Sequence, residues 1–426
     1  MQNNTFNLWS IHGKQYDLSS FLDSHPGGRT ILEACKGNKD CTAAFESYHA
    51  MVNMNKIESI MSKYEIGISD IQPHNTFNHD GFYQTVKFRV RQYFNQNTQS
   101  YEMSNYHSNL FWLFKTIIMC FLYFNIFYYA FYSLLNIWLR VCFAGLAGFI
   151  GVQIGFIVLH DASHCAISKY SYINDFLSRI TNAFILWDHR LWMTHHVYLH
   201  HSFTSDHKLD PDTMHLRPFV KKHPEDSESK FNKLFRLYPK ITTLISTMIF
   251  PGIYVGQAFV YHFVWLWRQY LWGMKLPHTY KTTYLEIFIK LFVIFSFIYS
   301  QSFLIVISYL ISCNISYFIA IMPDHDMIST TENRINHSTD NLIDWGEMQV
   351  RNSGNFATNS IWLTELYGGI NYQIEHHLFP TICHVHYRAI QHIIKNTCKE
   401  FNIKYVESQS LCDAVIQVLD NFTSIR

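Results

Sequence analysis

Residues 151–164 read GVQIGFIVLHDASH, an apolar run that ends without a break on two histidines four residues apart. On a helix, His160 and His164 share one face, one turn apart. Ionisable residues at the border of a membrane span are costly to keep there and are functional by default. The stretch therefore reads as a span that carries a two-pronged chelate at its end. Two further clusters repeat the device, His196-Val197-Tyr198-Leu199-His200-His201 and Gln373-Ile374-Glu375-His376-His377. His196 and His200 are again one helical turn apart, with His201 about 100° round. Gln373, His376 and His377 are spaced i, i+3, i+4 on a single face. Together the clusters offer seven imidazoles and one amide. Imidazole suits iron, copper, zinc and nickel. Seven are too many for one tetrahedral zinc but suit two metal ions.

The apolar blocks around the clusters give the topology. A span needs about 20 apolar residues. The block before the first cluster fits two spans, at about 111–133 and 141–158, and the block after the second cluster fits two more, at about 284–302 and 304–322. No full span separates the first two clusters, so they share one side. The third reaches that side only if the chain crosses an even number of times, which 284–302 and 304–322 supply. Residues 241–268, apolar but carrying Pro251, Gly252, Gly256 and Gln257, are then expected to lie in the membrane interface. The same parity puts His325 on the metal side as a candidate eighth imidazole. His189, His195 and His207 read as loop histidines or as residues behind the ligands.

Composition agrees with a mixture of soluble and membrane parts. Charged residues are 15% and aromatic residues 17%, with a mean hydropathy of −0.03. The net charge of +1 argues against a nucleic-acid binder working through a basic field, so no nucleic-acid partner is expected. The nine cysteines form no CxxC pair, which suggests neither a disulfide framework nor a zinc ribbon. No basic segment followed by an apolar core opens the chain, so the first span is expected to serve as the insertion signal.

Residues 1–67 read as a small soluble domain around His25-Pro26-Gly27-Gly28 and Phe45-Glu46-Ser47-Tyr48-His49. Two histidines on separate turns can clamp an iron porphyrin from opposite faces, although Pro-Gly-Gly by itself also marks an ordinary loop. Residues 68–108 read as a linker. Within it Phe82, Val86, Val90 and Phe94 recur at i+4 on an amphipathic helix, which fits either a core-packing element or a membrane-surface one. Residues 109–400 form the membrane domain, and 401–426 read as a cytosolic C-terminal tail.

Trp9, Lys14-Gln15-Tyr16-Asp17, Phe21, His25-Pro26-Gly27-Gly28, Asp40, Thr42, Phe45, His49 and Ile66-Gly67 resemble the cytochrome b5 family. That resemblance implies an α+β fold and a haem b held by His25 and His49, which transfers electrons. The three histidine clusters resemble those of the membrane fatty-acyl desaturases. Gln373 in place of the usual histidine, together with the fused b5-like domain, resembles the front-end members. Asp210-Pro211-Asp212, Asp344-Trp345-Gly346-Glu347-Met348-Gln349-Val350-Arg351 and Gly368-Gly369-Ile370-Asn371-Tyr372 belong to the same resemblance.

The resemblance implies an all-α integral membrane domain of four spans plus interfacial helices, with a cytosolic cap that carries the histidine boxes. It implies two non-haem iron ions held by His160, His164, His196, His200, His201, His376 and His377, with His325 and Gln373 as ligands or supports. It also implies O2 as cosubstrate, an acyl-CoA or phospholipid acyl chain in the lipid bilayer as substrate, and an NADH-dependent cytochrome b5 reductase as electron donor. The expected location is the endoplasmic reticulum, with both termini cytosolic. The second cluster departs from many relatives in having three residues, not two, between His196 and His200. Front-end members acting at carbon 5 are similar, which favours Δ5/Δ6 chemistry. Alternatives are a sphingoid-base desaturase or lipid hydroxylase on the same scaffold, a membrane-tethered b5 electron carrier without catalysis, and a zinc-dependent membrane receptor or lipid amidase.

Overall fold

The computed structural model describes residues 8–37, 40–96, 106–213, 270–271, 274–275, 282–334 and 342–424. The interfacial stretch expected at 241–268 lies outside them. At the N-terminus β1 (Trp9–Ile11), β2 (Lys14–Tyr16) and β3 (Glu65–Ile68) form an antiparallel sheet in that order, with Trp9 opposite Tyr16 and Gln15 opposite Gly67. Helices α1 (Arg29–Ala34), α2 (Thr42–Tyr48) and α3 (Met54–Met61) surround a core of Trp9, Tyr16, Leu18, Leu22 and Cys41. This core is completed by Tyr198, Leu199 and Phe203, which lie in and just after the second histidine cluster. The b5-like module is therefore packed onto the rest of the chain.

Helix α4 (Phe82–Gln96) buries Phe82, Val86, Val90 and Phe94 against Trp345, Ile390 and Ile394. Of the two readings of its apolar stripe, the core-packing one holds. Helix α5 (Leu110–Phe131) starts at Asn109, whose side chain accepts the Trp112 N–H, and α6 (Ile137–Ser163) starts at Asn136, whose side chain accepts the Leu139 N–H. Helices α7 (Ser171–Phe184), α8 (His189–Trp192, continuing as a π-helix over Met193–His200), α9 (Tyr284–Tyr299) and α10 (Phe303–Asp326) follow. The histidine-bearing layer is completed by α11 (Ile328–Asn333), α12 (Trp345–Asn352), α13 (Ile361–Leu366), α14 (Gln373–Leu378), α15 (Tyr387–Glu400) and α16 (Leu411–Ser424).

Among the described residues, three helices are long and apolar enough to cross a membrane: Leu110–Phe131, Ile137–Ser163 and Phe303–Asn333. The remaining expected span, the third in chain order at 284–302, is a helix of 16 residues, Tyr284–Tyr299. At 1.5 Å per residue it reaches about 24 Å, short of a hydrocarbon core of about 30 Å. A capping box between Thr283 and Glu286 sets its start. The second span does not stop at 158 but runs on through Ser163, so His160 lies inside the helix. Phe114, Ile118 and Phe121 on α5 and Phe288, Leu291 and Phe295 on α9 are each more than half exposed, an apolar surface suited to lipid. The protein is a multi-pass membrane protein. Helices α6 and α10 cross closely at Gly148, where a Cβ would strike the Tyr309 carbonyl oxygen. Small residues at such crossings let membrane helices approach.

The described residues of the C-terminal segment, 401–424, fold back onto the rest of the chain and contribute part of a core. Ala414, Val418 and Phe422 of α16 are buried against Met327 and Phe356, and Asn355–Phe356 pairs in parallel with Glu407–Ser408. The apolar positions Ala414, Val418 and Phe422 recur four apart in α16 and place its apolar face inward.

Candidate di-metal site

Helix α6 delivers His160 and His164, α8 delivers His196, His200 and His201, α10 delivers His325 from its last turn, and α14 delivers Gln373, His376 and His377. All nine side chains are buried. They fall into two sets. The ligand atoms of His160, His164, His196 and His376 lie within 4.8 Å of one another, as do those of His200, His325 and His377. His201 stands between the sets. Its Nε2 is 3.0 Å from His376 Nε2 and 3.4 Å from His196 Nε2, while its ring stacks on His377 with centroids 4.4 Å apart.

The sequence pairs His196 with His200, but the structure pairs His196 with His201 and turns His200 toward His325 and His377. The cause is local. Met193–His200 is π-helical, and i→i+5 bonding brings residues five apart onto one face. The additional residue in this cluster is absorbed as a π-helical turn, a feature that recurs at functional sites. Gly155–His160 is π-helical as well and turns His160 inward.

The outer nitrogens identify the tautomers. His377 Nδ1 faces Gln349 Oε1 at 2.8 Å, His325 Nδ1 faces the Asn352 carbonyl at 2.8 Å, and His200 Nδ1 faces both Asp210 oxygens at 3.1 Å. These partners only accept, so each Nδ1 carries the proton and each Nε2 turns a lone pair inward. His376 Nδ1 meets the Tyr387 hydroxyl at 3.0 Å, and His164 Nδ1 meets the Tyr48 hydroxyl at 2.6 Å. The buried Nε2 atoms of His160 and His164 have no hydrogen-bond partner among the described residues. Burial, reinforced by the neighbouring imidazoles, holds His196, His201, His376 and His377 well below the ordinary histidine range. They are neutral, the form that ligates metal. Converging lone pairs with no protons to share are what a metal pair would satisfy.

Gln373 Nε2 lies 3.0 Å from both His325 Nε2 and His377 Nε2, while its Oε1 is buried without a partner among the described residues. A half-turn of the amide exchanges the two atoms, so Gln373 can present its carbonyl oxygen to the second set. Behind the ligands, His195 donates to Asp212 at 2.5 Å, and Glu375 accepts from Asn355 at 2.7 Å and from Tyr405 at 2.6 Å. Burial pushes the Glu375 carboxyl up to about 7. His189 is buried against Ser178 and Asn182, and His207 is partly exposed.

A second candidate metal position lies in the b5-like module. The rings of His25 and His49 are 6.2 Å apart between centroids, a spacing that admits one metal atom bound at about 2 Å from each ring. His25 Nδ1 donates to the Gly28 carbonyl at 2.9 Å and His49 Nδ1 to the Phe45 carbonyl at 2.7 Å, which leaves both Nε2 atoms free to ligate. Burial lowers both rings, His49 to about 4, so they too are neutral.

The profile described as fatty acid desaturase matches residues 133–409, and that of the cytochrome b5-like heme/steroid binding domain matches residues 2–70. The chain belongs to the fatty acid desaturase family. It is a desaturase-type oxidoreductase with a fused haem-binding b5-like domain. It is 28% identical to an acyl-lipid (8-3)-desaturase of Physcomitrium patens, over 93% of this chain and 83% of that one. It is also 28% identical to acyl-lipid (8-3)-desaturase B of Dictyostelium discoideum, over 96% and 89% of the two chains, and 27% identical to Delta(5) fatty acid desaturase A of the same organism, over 96% and 88%.

In this desaturase the residues that the sequence did not single out are those that orient the ligands. Asp210, Asp212 and Gln349 lie in stretches of family resemblance that carried no role until the structure set them on His200, His195 and His377. Tyr48, Tyr387 and Asn352 gave no signal at all. A hydrogen-bonded line, Glu365–Lys115–His384–Asp161, half-buried at its Glu365 and Lys115 end and buried at His384 and Asp161, runs from α13 to the residue beside His160, with distances of 2.6, 2.9 and 2.6 Å. Its members are scattered over 250 residues and more of sequence separation in some pairs, so no spacing betrays them.

Proposed function

We propose that the chain is a front-end acyl desaturase that inserts a cis double bond between the carboxyl end and an existing double bond of a polyunsaturated acyl chain, with Δ5 position favoured within the Δ5/Δ6 group. The observation that carries this reading is an apolar cleft that leads to His160. Val152, Phe156 and Leu159 of α6, Ile185 and Trp187 after α7, and Leu310 of α10 line it. Among the described residues no Asp, Glu, Lys or Arg lines the cleft, and its largely apolar wall suits a hydrocarbon chain. Trp192, stacked on His196 with centroids 4.2 Å apart, walls its metal end. The names of the relatives support the position at carbon 5.

His160, His164, His196 and His376 would hold one iron and His200, His325 and His377 the other, with His201 between them and Gln373 on the second. When bound, the iron pair with O2 supplies the oxidant that removes two hydrogens from an unactivated chain, a step beyond side-chain chemistry. The protein's part is to hold each imidazole by its outer nitrogen, to keep the ligands dry, and to lay the chain against His160. His25 and His49 would hold haem b, which an NADH-dependent cytochrome b5 reductase would reduce. The clusters and the b5-like module share one side, which in the endoplasmic reticulum would be the cytosolic one, with both termini.

The test is expression in yeast fed single polyunsaturated acyl chains, with the new double bond located by mass spectrometry. A new bond at carbon 5, on the carboxyl side of an existing one, is expected. A hydroxylated product, or a bond on the methyl side, would overturn the reading.

A further inference from the structure

The b5-like module touches the metal ligands directly. Tyr48 immediately precedes His49, and the two side chains leave α2 in different directions. His49 faces His25, while Tyr48 reaches out of the module and places its hydroxyl 2.6 Å from His164 Nδ1. Its ring lies over the His164 ring at 25° with centroids 6.0 Å apart, and packs with Leu159, Trp192 and Val197. With His164 Nε2 turned toward the metal set, its Nδ1–H donates to the Tyr48 oxygen. The Tyr48 hydroxyl proton has its own acceptor in the Val197 carbonyl at 3.4 Å.

The contact is held from several sides. Tyr198 donates to the Asp40 carbonyl at 3.0 Å, and Thr30 donates to Asp175 at 3.1 Å. Arg91 of α4 donates to the carbonyls of His49 at 3.3 Å and Val52 at 2.8 Å, and also to that of Ala50. The end of α2 is thereby fixed against both α4 and the histidine-bearing layer. A reductant on a loose tether would need none of these bonds.

We propose that Tyr48 is the positioning residue that connects the haem ligand to the metal pair, so that electrons pass within one docked chain along His49, the 48–49 peptide, the Tyr48 ring and His164. This rests on the reading of the two metal sites given above. Electron tunnelling decays more slowly through covalent bonds and short hydrogen bonds than across gaps. This route contains one non-covalent step, the 2.6 Å hydrogen bond. In each transfer the haem iron loses one electron and one ferric ion of the pair gains it. His164 keeps its Nδ1 proton and Tyr48 its own, so no proton accompanies the step. Two such transfers, with the haem re-reduced by the reductase between them, supply the two electrons that desaturation takes up with O2.

The experiment uses the full chain in lipid nanodiscs, with haem and non-haem iron quantified. The haem is reduced anaerobically with one electron equivalent of dithionite, half a molecule per haem, and loss of the ferrous haem band to the ferric pair is followed by stopped flow. Tyr48→Phe keeps the ring and removes the oxygen. Its haem and iron contents should match the parent's, and its haem reoxidation should slow at least tenfold. Thr30→Ala removes a docking bond away from the route and should reoxidise at the parent's rate. Equal rates in the parent and Tyr48→Phe would overturn the route, as would equal slowing in both variants. A parent with both metals whose haem does not reoxidise would overturn intramolecular transfer altogether. A parent lacking haem or the iron pair would overturn the site assignment on which the route rests.

Discussion

Gln373 shows how much one side chain can decide. It stands where an imidazole would complete the second set, and its amide meets two ring nitrogens that only a metal or a donor can satisfy. An amide oxygen is a weaker donor than imidazole, so an ion beside it would be less electron-rich and more open. Gln373→Ala should leave haem absorbance and membrane insertion intact, and should abolish product formation in fed yeast with loss of up to one iron per chain. Full desaturation by this variant would remove Gln373 from the site. At the other metal position, His25→Ala or His49→Ala should each abolish the b-type absorbance while the non-haem iron remains, because the two sets share no ligand. A haem spectrum retained in both would refute the ligand assignment. These residues were legible because imidazoles at helical spacing are rare beside apolar runs. Tyr48, Tyr387 and Gln349, which orient the ligands, were not, since nothing local distinguishes a Tyr or Gln that bonds a histidine from one that packs or is solvated.

The elements explain why the clusters converge. α6 turns His160 inward through the π-helical stretch Gly155–His160, and the π-helical Met193–His200 of α8 sends His196 to one set and His200 to the other, with His201 between them. A 3.6-residue period read from sequence identifies both segments as helices and groups His160 with His164 as the structure does, but in α8 it pairs His196 with His200, because a single inserted residue changes the helix type without changing composition. The spans were legible from hydropathy, but their close crossing was not. Gly148 is required there, since the Tyr309 backbone carbonyl cannot move aside for a methyl group. Gly148→Ala should destabilise by about 1–3 kcal/mol through overpacking, whereas Gly155→Ala, whose methyl meets only Ile185 Cδ1 at 4.0 Å, should change stability by no more than about 0.5 kcal/mol. Thermal unfolding in nanodiscs, read at matched lipid composition, separates the two. Equal effects would mean that α6 and α10 separate readily.

At the scale of the whole molecule, the b5-like module and the membrane domain are joined by a buried ionic contact as well as by shared core. Glu46 of α2 accepts from Lys87 of α4 at 2.6 Å, from Gln84 at 3.2 Å and from His12 at 2.9 Å. Although burial alone would raise it, His12 and Lys87 draw its carboxyl down from 4.5 to about 2. A carboxyl depressed in the folded state stabilises above its unfolded value, and that stability is lost as the pH falls toward the folded value. The drop from 4.5 to about 2 corresponds to roughly 3 kcal/mol, which should disappear between about pH 4.5 and pH 2. The thermal midpoint of the docked module, followed by its haem absorbance, should therefore fall steeply as the pH is lowered through that range. Glu46→Gln leaves Lys87 charged and buried without its partner, so it should already be less stable at pH 7, by about 3–5 kcal/mol, and should show a shallower acid limb. A variant as stable as the parent at pH 7 and equally acid-sensitive would mean that α2 and α4 are held by apolar packing alone. The electron route through Tyr48 would then need no charged contact to keep it in register.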